Sequence, residues 1–328
     1  MKALLVNDTG SKPEMILGTA PTPSPGDYEL LVKIKATALN RADLLQKSGN
    51  YPPPKGSSPI LGLEMAGIVE ETGHEVTRYE KGDQVFGLLP GGGYAEYATI
   101  HERMAMHIPE GFSFEEAAAI PEVFLTAFQA LKLLGKIKRN ENVLIHAGAS
   151  GVGTAAIQLA KKLFNCTVIT TASKKKKLKA CLELGADIAI NYKKTDFSEE
   201  IISQLGENSI DLVLDFVGAP YWEQNINVIA MDGRLIYLAM LGGAKVKQLN
   251  LVPVLRKRLT IQGSTLRNRT DEYKMNLTSD FHSYAMELVE NRDIQPVIHE
   301  IFDWNHAEQA HKMMEKNRNI GKVILTGM

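Results

Sequence analysis

The chain has 328 residues, 44% hydrophobic and 23% charged, and its 37 lysines and arginines against 38 acids leave a net charge of -1. That length accommodates two domains with a substantial buried core, and so even a charge balance argues against a general nucleic-acid or membrane-surface binder. No apolar run approaches the roughly 20 residues needed to span a bilayer, and the N-terminus meets charge by Asp8, too early for a signal peptide, so a cytoplasmic protein is expected.

From Ala3 to about Ile120 the apolar segments are short and punctuated by Gly and Pro, as in Tyr28 to Lys35, Gly67 to Glu71 and Tyr94 to Ile100. The pattern predicts a twisted, barrel-like β domain, its strands separated by turns such as Lys81-Gly-Asp83 and Pro90-Gly-Gly-Gly93. Ser113 followed three residues on by Glu116 reads as a capping box, where helix begins. From Val123 to about Gly263 strands alternate with helices: Val143 to His146, Val168 to Thr171, Ile188 to Ile190, Leu212 to Phe216, Leu235 to Ala239 and Thr260 to Gln262. Six such strands predict an α/β, doubly wound parallel sheet. The tail predicts helices near Phe281 to Glu290 and Ala307 to Glu315 and a last strand, Lys322 to Leu325, that returns to the first domain.

The most specific chemistry follows the first of those strands, where Gly148-x-Ser150-x-x-Gly153 leads into the helical run Thr154 to Lys161. Unpaired backbone N–H groups at a helix start carry partial positive charge, and small residues let phosphate oxygens approach them. An ordinary tight turn and a hydrolase nucleophile elbow are the rival readings; Val152 stands where the elbow requires its final glycine, which removes the second. About 20 residues further on, where a carboxylate would accept from the ribose 2′-hydroxyl of NAD, the chain has Ser173 followed by Lys174 to Lys177. Four lysines at a helix start oppose the helix dipole, a cost that an anion among them would offset. The 2′-phosphate of NADP is such an anion; the alternative is a solvated charged face. Cys166 and Cys181 fit neither a disulfide framework nor a zinc cluster, and His306 and His311 are spaced wrongly for one helix face, so no metal is expected.

Together with Ala38-Leu-Asn-Arg-Ala-Asp43, Gly49-Asn-Tyr-Pro-Pro53, Leu61-Gly-Leu-Glu64, Leu89 to Gly93, Ala118 to Phe128, Asn191 to Lys194, Tyr221-Trp222 and Asn319 to Val323, these features span the whole chain. The sequence resembles the zinc-free quinone oxidoreductases of the medium-chain dehydrogenase/reductase superfamily. The resemblance implies a GroES-like catalytic domain over 1–121 and 265–328, an NADP-binding Rossmann domain over 122–264, and a homodimer paired through the segment from Leu238 to Leu251. Zinc alcohol dehydrogenases of that superfamily place a cysteine where this chain has Asn40 and a histidine where it has Leu63; an amide and an alkyl group do not replace thiolate and imidazole. Without a Lewis acid to hold an alkoxide, the chain is expected to use NADPH to reduce a small acceptor that takes hydride readily, such as a quinone.

By the same resemblance, Asn40 and Tyr51 face the cofactor in a cleft between the domains, and Tyr51 donates a hydrogen bond or proton to the reduced oxygen. The bland alternatives are an Asx turn for Asn40 and packing on the Pro52 to Pro54 corner for Tyr51. Ser150, Gly151 and Val152 approach the phosphates; Ser173, Lys177 and Tyr192 surround the 2′-phosphate; Thr126, Met240, Ser264 and Leu266 hold the nicotinamide side. Val217 borders the adenosine ribose unless it merely ends a strand. Glu64 and Arg41 read as a charged pair that fixes the β domain, Asp43 in the same way, and His146 as a satisfied core residue. Two rival functions remain: enoyl-thioester reduction, because related reductases use a tyrosine in a similar Gly-x-Tyr-Pro setting, and a non-enzymatic structural or RNA-binding role.

Overall fold

The computed structural model describes residues 1–7 and 13–328; Asp8, on which the N-terminal reading turns, lies outside the described residues. The chain divides into two compact units: Met1–Leu125 with Arg267–Asn291 and Pro296–Met328, and Thr126–Leu266 with Arg292–Gln295.

The first unit is built on a largely antiparallel sheet. Its strands follow the order Ile298–Asp303, Lys322–Thr326, Glu29–Ala38, Glu64–Thr72, Gln84–Leu88 and Ala105–His107, with Tyr97–His101 also pairing Glu29–Ala38. Lys2–Asn7 and Glu14–Thr19 form a separate hairpin-like pair. Leu30, Val32, Ile34, Met65, Val69 and Val85 fill one core cluster, and Leu39, Leu61, Tyr94, Val323 and Leu325 fill another. The C-terminal strand places Ile324 opposite Ala38, so residues nearly three hundred apart in sequence share one ladder. Gly62 sits at φ +98, and a Cβ there would come within 2.6 Å of the Gly93 Cα; only glycine permits that turn.

The second unit is a six-stranded parallel sheet. Its order is Ile188–Asn191, Thr167–Ala172, Asn142–Ile145, Ile210–Asp215, Ile229–Tyr237 and Thr260–Gly263. All six expected strands are present, their ends moving by no more than about two residues except in Ile229–Tyr237, which starts well before the expected Leu235. Their near-continuous apolar runs fit a sheet covered on both faces; Leu144, Ile169, Phe197, Val213, Trp222 and Leu235 share its core. The order reverses beside Asn142–Ile145, the switch point at whose carboxyl side ligands of open α/β sheets bind. The helix Gly151–Lys162 starts there because Ser150 caps it, its Oγ accepting from the Gly153 N–H at 3.0 Å. Its residues from Gly153 to Ala160 are all buried. A Cβ at Gly148 would lie 1.9 Å from the Thr170 Oγ1, so glycine there lets the turn press against the neighbouring strand. Among the described residues, no helix is long and apolar enough to cross a membrane.

Candidate functional site

In the α/β unit the parallel register gathers the candidate cofactor residues at one sheet edge. Ala172 pairs with Asn191, so Ser173 and Tyr192 leave adjacent strand ends side by side. Asp215 pairs with Tyr237, and Tyr237 with Gly263, so Val217, Met240 and Ser264 follow three neighbouring ends at the same edge. Ser150, Gly151 and Val152 open the helix after the central strand. The Ser150 N–H is taken by the Ala147 carbonyl and that of Gly153 by the Ser150 hydroxyl; Gly151 and Val152, half-exposed at the helix start, have N–H groups with no such partner among the described residues. The second expected helix runs Lys175–Glu183, with Lys174 at its N-cap. Lys177 lies half-buried on it, near enough to the Cys181 thiol to pull against the burial that raises that thiol to about 12. Thr126 Oγ1 is buried without a hydrogen-bond partner, as is Gln129 Oε1, while Gln129 Nε2 donates to the Ser264 Oγ at 2.5 Å. Leu266 is buried.

Val217 lies beyond the strand, which ends at Asp215 rather than at Phe216 as expected. Asp215 shapes that loop by accepting from the Val217 and Gly218 N–H groups at 2.5 and 3.0 Å. The other Asp215 oxygen accepts from Asn225, whose carbonyl meets His146 Nε2 at 2.8 Å. His146 is bonded through both ring nitrogens, with Thr171 on the other side, and burial lowers its pKa. It supports the edge as a neutral core residue.

The β unit holds a different kind of cluster. Asn40 precedes the short helix Arg41–Lys47, and its backbone N–H donates to the Asp43 carboxylate at 2.7 Å. The Asn40 amide is fully used: Nδ2 donates to Glu64 Oε1 at 2.7 Å, and Oδ1 accepts from the Lys322 ammonium at 2.7 Å. Lys322 also binds Glu64 Oε1 at 2.7 Å and the Leu39 carbonyl at 2.8 Å, and the second Glu64 oxygen accepts from the Glu122 N–H at 2.8 Å. The expected pairing of Glu64 with Arg41 is thereby corrected. Arg41 instead bonds the Met314 carbonyl and Asn317 Oδ1, and the cation on Glu64 comes from the C-terminal strand. Asp43 accepts from Gly62 and Tyr94, and Tyr94 meets His311 Nε2 at 3.1 Å. Burial raises Asp43 to about 6 and lowers His311 to about 3.

Tyr51 is half-buried, and the Arg267 guanidinium carbon lies over its ring at 5.5 Å. Burial first and the Glu122 carboxyl second raise the Tyr51 pKa, so the phenol stays protonated at neutral pH. Glu122 itself is pushed up to about 8 by burial and then by Glu64. Lys322, Glu122 and Arg267 are the residues that reading the sequence missed. Lys322 opens a strand and Glu122 lies in the first turn of a helix, positions that need no special explanation; a lysine heading an otherwise apolar terminal strand was the one available signal.

The donor set does not suit zinc. Asn40 and Glu64 are spent on Lys322, whose ammonium would repel a cation, Leu63 offers no donor, and among the described residues no group of three or more His, Cys, Asp or Glu could hold a metal.

Comparison with known proteins agrees with this architecture. The family described as zinc-binding dehydrogenase matches residues 151–281, and the alcohol dehydrogenase GroES-like domain matches residues 26–110. The chain is 31% identical to the quinone oxidoreductase of Sus scrofa, covering 92% of this chain and 90% of that protein. It is 30% identical to the synaptic vesicle membrane protein VAT-1 homolog of Danio rerio, covering 91% of this chain but 64% of that longer protein. Among solved structures it is similar to an NAD-dependent alcohol dehydrogenase (TM-score 0.88, 31% identity, all of both chains). It is also similar to the Escherichia coli quinone oxidoreductase complexed with NADPH (TM-score 0.83, 28% identity, 95% and 96% covered) and to the CurK enoyl reductase (TM-score 0.83, 25% identity, 99% and 98% covered). With its GroES-like and Rossmann domains and its full-length likeness to these oxidoreductases, the chain belongs to the quinone oxidoreductase family of the medium-chain dehydrogenase/reductase superfamily.

Proposed function

We propose that this protein is an NADPH-dependent, zinc-independent oxidoreductase that transfers hydride to quinones or similarly activated acceptors. The observation that carries the reading is the α/β edge: unpaired N–H groups at Gly151 and Val152, beside strand ends that lead into Ser173, Lys177 and Tyr192. Those features fit a pyrophosphate and a second, isolated phosphate. The orphaned Thr126 hydroxyl and the Ser264 hydroxyl, with Met240 and Leu266, suit the amide-bearing end of the cofactor, and Val217 suits its adenosine ribose. NADPH, when bound, supplies the hydride.

The remaining chemistry belongs to the chain. Tyr51, kept protonated by burial, donates to the acceptor oxygen as that oxygen gains charge. Asn40 acts at one remove: held between Glu64 and Lys322, it fixes the wall behind the acceptor and moves no proton itself. The catalytic part is 1–121 with 265–328 and the cofactor part 122–264. A second copy of the chain covers the exposed Leu241, Leu249, Leu251 and Leu255 near the sheet-edge strand Thr260–Gly263. Enoyl-thioester reduction is the alternative favoured by the likeness to the CurK enoyl reductase. Stopped-flow NADPH oxidation with ortho- and para-quinones beside crotonyl thioesters separates the two. Turnover of quinones with inert thioesters is expected, and the reverse would replace this reading with the alternative.

A further inference from the structure

The β unit contains a cleft of about 730 Å³ whose wall includes Lys55, Ser58, Pro90, Arg267, Arg269 and Lys274. Its cations are not equivalent. Lys274 is paired with Asp271 at 3.3 Å, the Arg269 guanidinium lies over the Tyr273 ring at 4.7 Å, and Lys55 is solvent-exposed. Glu29, an acid in the same wall, accepts from the Gly26 N–H at 2.9 Å. Arg267 is the exception: only 5% exposed, it donates through Nε to the Pro90 carbonyl at 2.9 Å, while Nη1 and Nη2 have no hydrogen-bond partner.

An unpaired buried charge is among the costliest arrangements in a protein, and a guanidinium with both Nη groups unused is shaped to receive an anion. The guanidinium carbon lies 5.5 Å from the centre of the half-buried Tyr51 ring, a Cβ on Gly91 would lie 3.5 Å from Nη2, and the Asp43 and Glu122 carboxyls act on the charge through space without bonding it. The ring that carries the phenol therefore lies against the guanidinium. Neither Asn40 nor Lys322 can serve instead, since both are saturated.

Resting on the acceptor-reducing reading above, we propose that Arg267 is the anion-binding residue of the acceptor site. It holds the conjugated oxygen of the acceptor through its Nη groups while that oxygen carries negative charge. The acceptor gains the electron pair with the hydride, the charge settles on this oxygen beside the guanidinium, and the Tyr51 proton then neutralises it. The preferred ligands are accordingly planar conjugated carbonyl compounds that are, or become on reduction, oxyanions.

The test uses two probes on the full chain without cofactor: a hydroxylated 1,4-naphthoquinone, ionised at neutral pH, and its neutral methyl counterpart, with binding followed by quenching of intrinsic fluorescence. The unmodified protein is expected to bind the ionised probe at least about tenfold more tightly, the scale of a charge-assisted bidentate contact. Arg267→Gln should abolish that preference, Arg267→Lys should restore part of it, and the NADPH dissociation constant should stay within about twofold in both. Equal binding of the two probes by the unmodified protein overturns the proposal even if the variants fail to fold. A loss of NADPH affinity in place of probe selectivity also overturns it and assigns Arg267 to the cofactor. Failure of the unmodified protein to bind NADPH at all sinks the parent reading instead, so the two are told apart.

Discussion

The central polar clusters of the two units are treated in opposite ways. In the β unit Asn40, Asp43, Glu64, Tyr94 and Lys322 hydrogen-bond one another or the backbone, so the cluster is closed. In the α/β unit, N–H groups at a helix start and the Thr126 hydroxyl are left without partners. Buried polar groups are satisfied as a rule, so a closed cluster speaks of architecture and an open one of a ligand yet to arrive. By that contrast Asn40, although it stands beside the chemistry in the sequence motif, belongs with the framework, while Thr126 and the Gly151–Val152 turn are the groups we propose for binding. Outside that cluster the β unit leaves buried atoms of Gln46, Tyr273, Thr278, His311 and Arg267 without partners, and of these Arg267 is the one that carries a permanent charge.

The contrast breaks first at Lys322. Lys322→Met leaves the fully buried Glu64 without its cation, and removing one partner of a buried pair costs about 3–5 kcal/mol. Urea denaturation should show a loss of that size with nucleotide affinity preserved in the fraction still folded. An unchanged midpoint would mean that the cluster is not what holds Glu64.

Tyr51→Phe removes the proposed proton donor while keeping the ring over Arg267. A fall in kcat of about 100-fold, within the usual range for a lost general acid, is expected in steady-state assays with a quinone, with little change in NADPH affinity. A variant with full kcat would leave Tyr51 as packing on its proline corner.

Glu122 supplies a subtler test through pH. Its carboxyl titrates at about 8 in the folded chain against the ordinary 4.5. Between those values the folded state keeps a proton that the unfolded state releases, so stability falls as pH rises across the window. Glu122→Gln carries no such proton. Its urea midpoint should gain on that of the unmodified protein as pH rises from about 5 to about 8, whereas Asp43, present in both, cancels. A constant difference across the window would show that Glu122 is ionised throughout.

Much of this was legible in the residues. The period of apolar segments located every strand of the parallel sheet, and Ser150 with its flanking glycines marked the helix start, because caps and strand patterns are local and leave local traces. The closed cluster was not legible. Lys322 reaches Glu64 across 258 positions, and no local pattern announces a partner so remote; charge and spacing instead suggested Arg41, which turns to Asn317. Arg267 was equally hidden, since an arginine in a loop is unremarkable until both its Nη groups prove to be buried without a hydrogen-bond partner.

The central claim is that ammonium groups after the second parallel strand take the place of the carboxylate that would select the non-phosphorylated dinucleotide. Titration of NADPH and NADH against the unmodified chain and against Lys177→Ala tests it most directly. The unmodified chain should favour NADPH by about tenfold or more, as expected of charge-assisted phosphate contacts, and the alanine variant should lose most of that preference by weakening NADPH alone. Equal affinities in the unmodified chain, or equal losses for both nucleotides in the variant, would contradict the account.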